Sequence, residues 1–83
     1  MNETSQNELE ERVRSVVRNT FRLSAAEASG DLRIGAPPQW DSIGHMQLLL
    51  EIENEFGLRF PTHTIANLTT IESIVHAIKM RSE

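Results

Sequence analysis

Apolar residues recur at spacings of three and four in three stretches of the chain, and turn-forming residues fill the intervals between them. In the first stretch Leu9, Val13, Val16, Val17 and Phe21 share one side, while Glu8, Glu10, Glu11, Arg12, Arg14 and Arg18 occupy the other. That pattern predicts an amphipathic helix. Ser5 with Glu8 three residues later is a reciprocal capping arrangement that marks its start. Glu8 with Arg12 and Glu10 with Arg14 are spaced for surface pairs of about 0.2–0.5 kcal/mol each.

The second stretch runs from Ser42 to Phe56. Gly44, Gln47, Glu51, Asn54 and Glu55 form a polar stripe, and Met46, Leu49, Leu50, Ile52 and Phe56 cover much of the remainder. Asp41 or Ser42 supplies the N-cap, and Gly57 follows the last apolar residue as a left-handed stop. In the third stretch Thr69 and Glu72 form a capping pair ahead of Ile71, Ile74, Val75 and Ile78, which share one face. Pro61 opens a short helix through Ala66. Leu58-Arg59-Phe60 is locally extended, and no alternating strand is present.

Between the first two helices lies a long connection, residues 23–40, broken by Ser29-Gly30, Gly35 and Pro37-Pro38. Within it, Ser24-Ala-Ala-Glu27 can cap one helical turn. Connections beyond about 12–15 residues are uncommon in compact domains unless they serve a function. Leu23, Leu32, Ile34 and Trp40 are the candidates to pin it to the core. The fold class is therefore all-α: a four-helix bundle of three main helices and one short one, with a long loop between helices 1 and 2. One domain spans 1–83, its core about 5–81.

Composition narrows the function. The 83 residues include eight Lys+Arg against twelve Asp+Glu, a net charge of −4, which is the wrong sign for binding nucleic acid or an anionic membrane. No run approaches the roughly 18 consecutive apolar residues of a membrane helix, and Met1 to Glu8 is polar, unlike a secretory signal. A cytoplasmic protein, monomeric by default, is the expectation. With no cysteine there is neither a disulfide framework nor a thiolate metal cage, and any thiol chemistry must be brought by a cofactor.

Asp41, Ser42 and His45 invite a hydrolase reading. Neighbours on one segment do not reach the geometry of nucleophile, base and orienter, and no Gly-x-Ser-x-Gly turn is present. An enzyme is not expected. His45, His63 and His76 lack metal-ligand spacing and read as surface or boundary residues, and no metal is expected.

The segment Trp40-Asp41-Ser42-Ile43-Gly44-His45-Met46-Gln47-Leu48-Leu49-Leu50-Glu51-Ile52-Glu53-Asn54-Glu55-Phe56 resembles the acyl carrier protein family. The likeness covers most of the chain: helix order, long first loop, Asp-Ser at the second helix, and the apolar ladder ending in Glu-x-x-Phe-Gly. Leu48 to Phe56 is most similar to discrete carriers, including D-alanyl carrier proteins, rather than synthase modules. The resemblance implies that Ser42 carries 4′-phosphopantetheine, installed from coenzyme A by a phosphopantetheinyl transferase, and that Asp41 helps that transferase engage. Such a chain holds an acyl or aminoacyl group as a thioester and passes it between a ligase or transferase and downstream biosynthetic enzymes. A hydroxyl at a helix N-terminus is accessible, and a phosphodiester there meets unpaired N–H groups and the positive end of the helix dipole.

The expected partner surface comprises Gly44, Met46, Gln47, Glu53 and Ile65. Glycine in a first helical turn costs up to about 1 kcal/mol against alanine, which suggests that Gly44 lets the arm or a partner approach. Fatty-acid carriers present acidic residues soon after the serine, where this chain has Gly44, His45 and Gln47. Glu51, Glu53 and Glu55 keep an acidic patch farther along. A dedicated carrier of a specialised pathway fits this departure better than service to a standard fatty acid synthase. The alternative is a carrier-like interaction module that never carries the arm.

Overall fold

The periodic stretches meet along their apolar sides. A computed structural model describes the backbone of residues 2–82 and the side chains of 7–81. It places α1 at Asn2–Phe21, α2 at Ala25–Ala28, α3 at Ser42–Phe56, α4 at Thr62–Ile65 and α5 at Ile71–Ser82. Helix α1 packs against α3, α5 and α2. The expected four-helix plan gains α2, the helical turn that Ser24 and Glu27 cap. Ser24 Oγ accepts from the Glu27 N–H at 3.1 Å, and Glu27 Oε1 accepts from the Ser24 N–H at 2.8 Å. Among the described residues there is no strand, and Arg33 forms isolated bridges to Ala36 and Thr70.

Val13, Val17, Phe21, Leu48, Leu49, Ile52, Ile71, Ile74, Val75 and Ile78 form the interhelical core. Leu9 and Val16 pack at its edge. The long connection is pinned by Leu23, Leu32 and Trp40, all buried, but Ile34 is 38% exposed. Its backbone does the anchoring instead: the Ile34 N–H donates to the Thr69 carbonyl at 2.9 Å. Arg14 adds a second tie, donating from Nη1 to the carbonyls of Ala28 at 2.8 Å and Gly30 at 2.7 Å. Those are carbonyls at the end of α2, which a short helix leaves unpaired.

Three local expectations are corrected. Helix α1 begins at Asn2, so Ser5 sits inside it rather than capping it; the Ser5 side chain lies outside the described residues. The cap of α5 is one residue later than expected: Thr70 Oγ1 accepts from the Ser73 N–H at 3.0 Å, and Ser73 Oγ accepts from the Thr70 N–H at 3.0 Å. Glu10 and Arg14 do pair at 3.0 Å, whereas Arg12 turns across to Glu55 on α3 at 3.3 Å.

Candidate functional site

The start of α3 is set by Asp41, whose extended backbone and carboxylate stop the loop and begin the helix. Asp41 Oδ1 accepts from the Gly44 N–H at 2.8 Å. Of the two possible N-caps, Asp41 takes the role, and Ser42 becomes the first helical residue with its side chain exposed. A hydroxyl is thus presented at the positive end of a 15-residue helix, beside amides suited to an anion.

Behind the serine the turn is solid. Trp40 is fully buried with its ring centroid 6.1 Å from that of Phe21. Its N–H donates to the Pro37 carbonyl at 3.0 Å, and its carbonyl accepts from the Gly35 N–H at 2.7 Å. Gln39 Nε2 reaches the Phe21 carbonyl at 3.2 Å. Gly44 lies beneath this arrangement and is buried. A Cβ there would collide with the Gln39 carbonyl oxygen and crowd the Phe21 ring. The small residue therefore admits the chain's own loop, and Gly44 offers no open surface to an arm or partner.

His45 is also buried, at 6% exposure, which corrects its reading as a surface or boundary residue. The Trp40 Nε1–H donates to His45 Nδ1 at 2.9 Å, and His45 Nε2 lies 2.7 Å from the Ile65 carbonyl. An indole nitrogen only donates, so Nδ1 accepts, and Nε2 carries the proton that it gives to Ile65. Both ring nitrogens are committed, so His45 is not placed to act as a base for Ser42. The burial was readable: His45, Leu48, Leu49 and Ile52 follow the i, i+3, i+4, i+7 register of the buried stripe.

The outward face of α3 is more apolar than expected. Ile43, Met46 and Leu50 are exposed at 75%, 49% and 57%. Gln47 is exposed among them, and a groove alongside is lined by Thr20, Arg22, Gln47, Leu50 and Glu51. The other surface candidates lie elsewhere. Ile65 is half-buried against the core, and half-buried Glu53 accepts from the Phe60 N–H at 2.8 Å, holding the chain after α3. With Glu55 paired to Arg12, Glu51 is left as the open carboxylate of the expected acidic patch.

His63 and His76 are exposed, and among the described residues no group of three or more His, Asp or Glu is placed to hold a metal. No described helix is long and apolar enough to cross a membrane.

Two comparisons bear on this site. The family described as the phosphopantetheine attachment site matches residues 40–78, from Trp40 into α5. An acyl carrier protein of Rickettsia bellii (strain OSU 85-389) is 27% identical over 71 residues, covering 86% of this chain and 88% of that protein. The matched segment contains the whole of α3 and the turn that presents Ser42.

Proposed function

We propose that this chain is a carrier of the acyl carrier protein family, that 4′-phosphopantetheine is its prosthetic group and that Ser42 is the attachment point, on the strength of the match over residues 40–78 and the likeness to an acyl carrier protein. The observation that carries the assignment is the division of labour at the head of α3: Asp41 caps the helix, and the Ser42 hydroxyl stays exposed. In the transfer, the Ser42 oxygen bonds to the phosphorus bearing pantetheine as the bond from that phosphorus to the nucleotide half of coenzyme A breaks. The serine proton leaves to a base of the transferase. Asp41 serves twice, as N-cap and as the carboxylate beside the serine that the transferase engages. The first amides of α3 then face the phosphodiester.

When bound, the arm supplies the thiol that a cysteine-free chain lacks. The protein holds and presents its cargo, an acyl or aminoacyl thioester, and leaves the bond-making to its partners. Those are a phosphopantetheinyl transferase, a loading ligase or transferase, and downstream enzymes of a specialised biosynthetic pathway. The partner surface is centred on Met46 and Gln47 of α3, with Ile65 at its margin. The whole chain acts as one monomeric domain.

The test is intact mass after incubation with coenzyme A and a phosphopantetheinyl transferase of broad specificity. One added phosphopantetheine on the wild type and none on Ser42→Ala is the expected result. An unmodified wild type beside a modified control carrier, or a Ser42→Ala protein that still gains the group, overturns the assignment.

A further inference from the structure

The network behind Ser42 does more than fill space. A buried histidine in a small core is costly unless both ring nitrogens find partners, and an apolar side chain would fill the volume without that requirement. Here the partners come from two separate elements. Trp40 lies two residues before the serine, in the loop, and Ile65 ends α4, twenty residues beyond His45.

Helix α4 needs such a tie. It has four residues, no side-chain cap at its start and no buried residue. A helix this short has little stability of its own. Its Ile65 side chain is half-buried, and its carbonyl receives the His45 Nε2–H. At the other end of the imidazole, Trp40 is locked by the Pro37 and Gly35 backbone bonds, and the His45 N–H donates to the Asp41 carbonyl at 2.7 Å. Ser42 is therefore flanked in sequence by the two side chains of one hydrogen-bonded line: Trp40, His45, Ile65.

We infer that His45 is a positioning residue, a buried strut that couples the seat of α4 to the turn presenting Ser42 for modification. The inference rests on Ser42 being the attachment point. Only a side chain that accepts at one edge and donates at the other completes the line. Trp40 offers a donor and Ile65 an acceptor, so the neutral Nε2–H tautomer fits both. Loss of the α4 link frees α4 and loosens the serine turn together. A residue that merely packs would lower stability without that linkage.

Two substitutions separate the bonds. His45→Asn keeps an acceptor near the Nδ1 position and loses the reach to Ile65, whereas His45→Gln places an amide donor near the Nε2 position. Val13→Ala, a core truncation on α1, is the control for lost stability. Modification kinetics with coenzyme A and a broad-specificity transferase are compared with amide exchange read by NMR. In His45→Asn, exchange rises about tenfold both at residues 65–68 and at the bonded amides of positions 44 and 45, and kcat/KM for modification falls about tenfold below that of Val13→Ala, as expected for loss of one buried hydrogen bond. His45→Gln restores protection of residues 65–68 and most of the rate.

The strut is overturned if His45→Asn is modified as fast as the Val13→Ala control, or if α4 loosens while the amides of positions 44 and 45 stay protected. A wild-type measurement decides independently of any variant: nitrogen-15 NMR of the His45 ring finds an unprotonated Nδ1 and a protonated Nε2 if the strut exists, and a protonated Nδ1 overturns it. An unmodified wild type overturns the Ser42 assignment instead, and the ring and amide measurements still report on the strut.

Discussion

Two glycines lie near the ends of α3, Gly44 in its first turn and Gly57 just past its last residue, and they are there for opposite reasons. Gly57 ends the helix at φ 64°, with open space where a Cβ would go, so backbone conformation is what it supplies. Gly44 sits in ordinary helical backbone near the other end, and there the space is filled by the Gln39 carbonyl and the Phe21 ring. One end is a stop made by backbone conformation, tied further on by Glu53 accepting from the Phe60 N–H. The other is a packed seat in which loop, helix and α4 converge beneath an exposed hydroxyl. Precision is concentrated where the serine is presented.

Gly44→Ala is the largest break in that contrast. Helix propensity alone favours alanine by about 1 kcal/mol. Overpacking costs about 1–3 kcal/mol, and a collision with backbone oxygen, which yields less readily than a side chain, puts this site at the upper end of that range. The expected net loss is about 2 kcal/mol, or roughly 10 °C in Tm for a domain of this size. Urea or thermal unfolding checks it, and a variant as stable as the wild type would show that the loop does not rest on the helix as described.

Gly57→Ala probes the other end and has a smaller effect. A left-handed residue with a Cβ costs about 1–2 kcal/mol, and part of that is recovered because alanine restricts the unfolded chain by about 0.4–1 kcal/mol. A net loss of about 1 kcal/mol is expected, with Gly57→Asn milder because asparagine tolerates the left-handed region. If alanine and asparagine cost the same in urea unfolding, conformation is not what this glycine supplies.

The two ends also differ in how far sequence alone discloses them. The stop was legible, because glycine after the last apolar residue has one common meaning, and both bounds of α3 followed from local signals. Ser24 and Glu27 were legible for the same reason: both halves of a capping box lie within four residues. The cap of α5 slipped by one because adjacent threonines offer the same hydroxyl, and Ser73 rather than Glu72 completes the reciprocal bonds. The burial of His45 was legible from its register with Leu48, Leu49 and Ile52, but what Gly44 and His45 do there was not. What fills the space over Gly44 is a loop carbonyl, and the acceptor for His45 is contributed by α4, so both meanings reside in tertiary contacts. The exposed Ser42 hydroxyl was approachable from sequence only through the motif around it, since serine before a helix most often caps it.

The smallest expected effect tests whether α1 holds the stop end of α3 by charge or by packing. Arg12 pairs with Glu55 at 3.3 Å, but both side chains are about half exposed, at 54% and 49%. Such a pair contributes about 0.2–1 kcal/mol and weakens with salt. The same guanidinium lies 4.3 Å from the centroid of the half-buried Phe56 ring, a contact worth about 0.5–1 kcal/mol at an exposed site. Arg12→Ala removes both contacts and Glu55→Ala only one, so Arg12→Ala is expected to cost more. The coupling in a double-mutant cycle should fall below about 0.5 kcal/mol and shrink further in 1 M salt. Equal single losses together with a large coupling would assign this contact to charge; the expected asymmetry assigns it to the arginine lying over the ring.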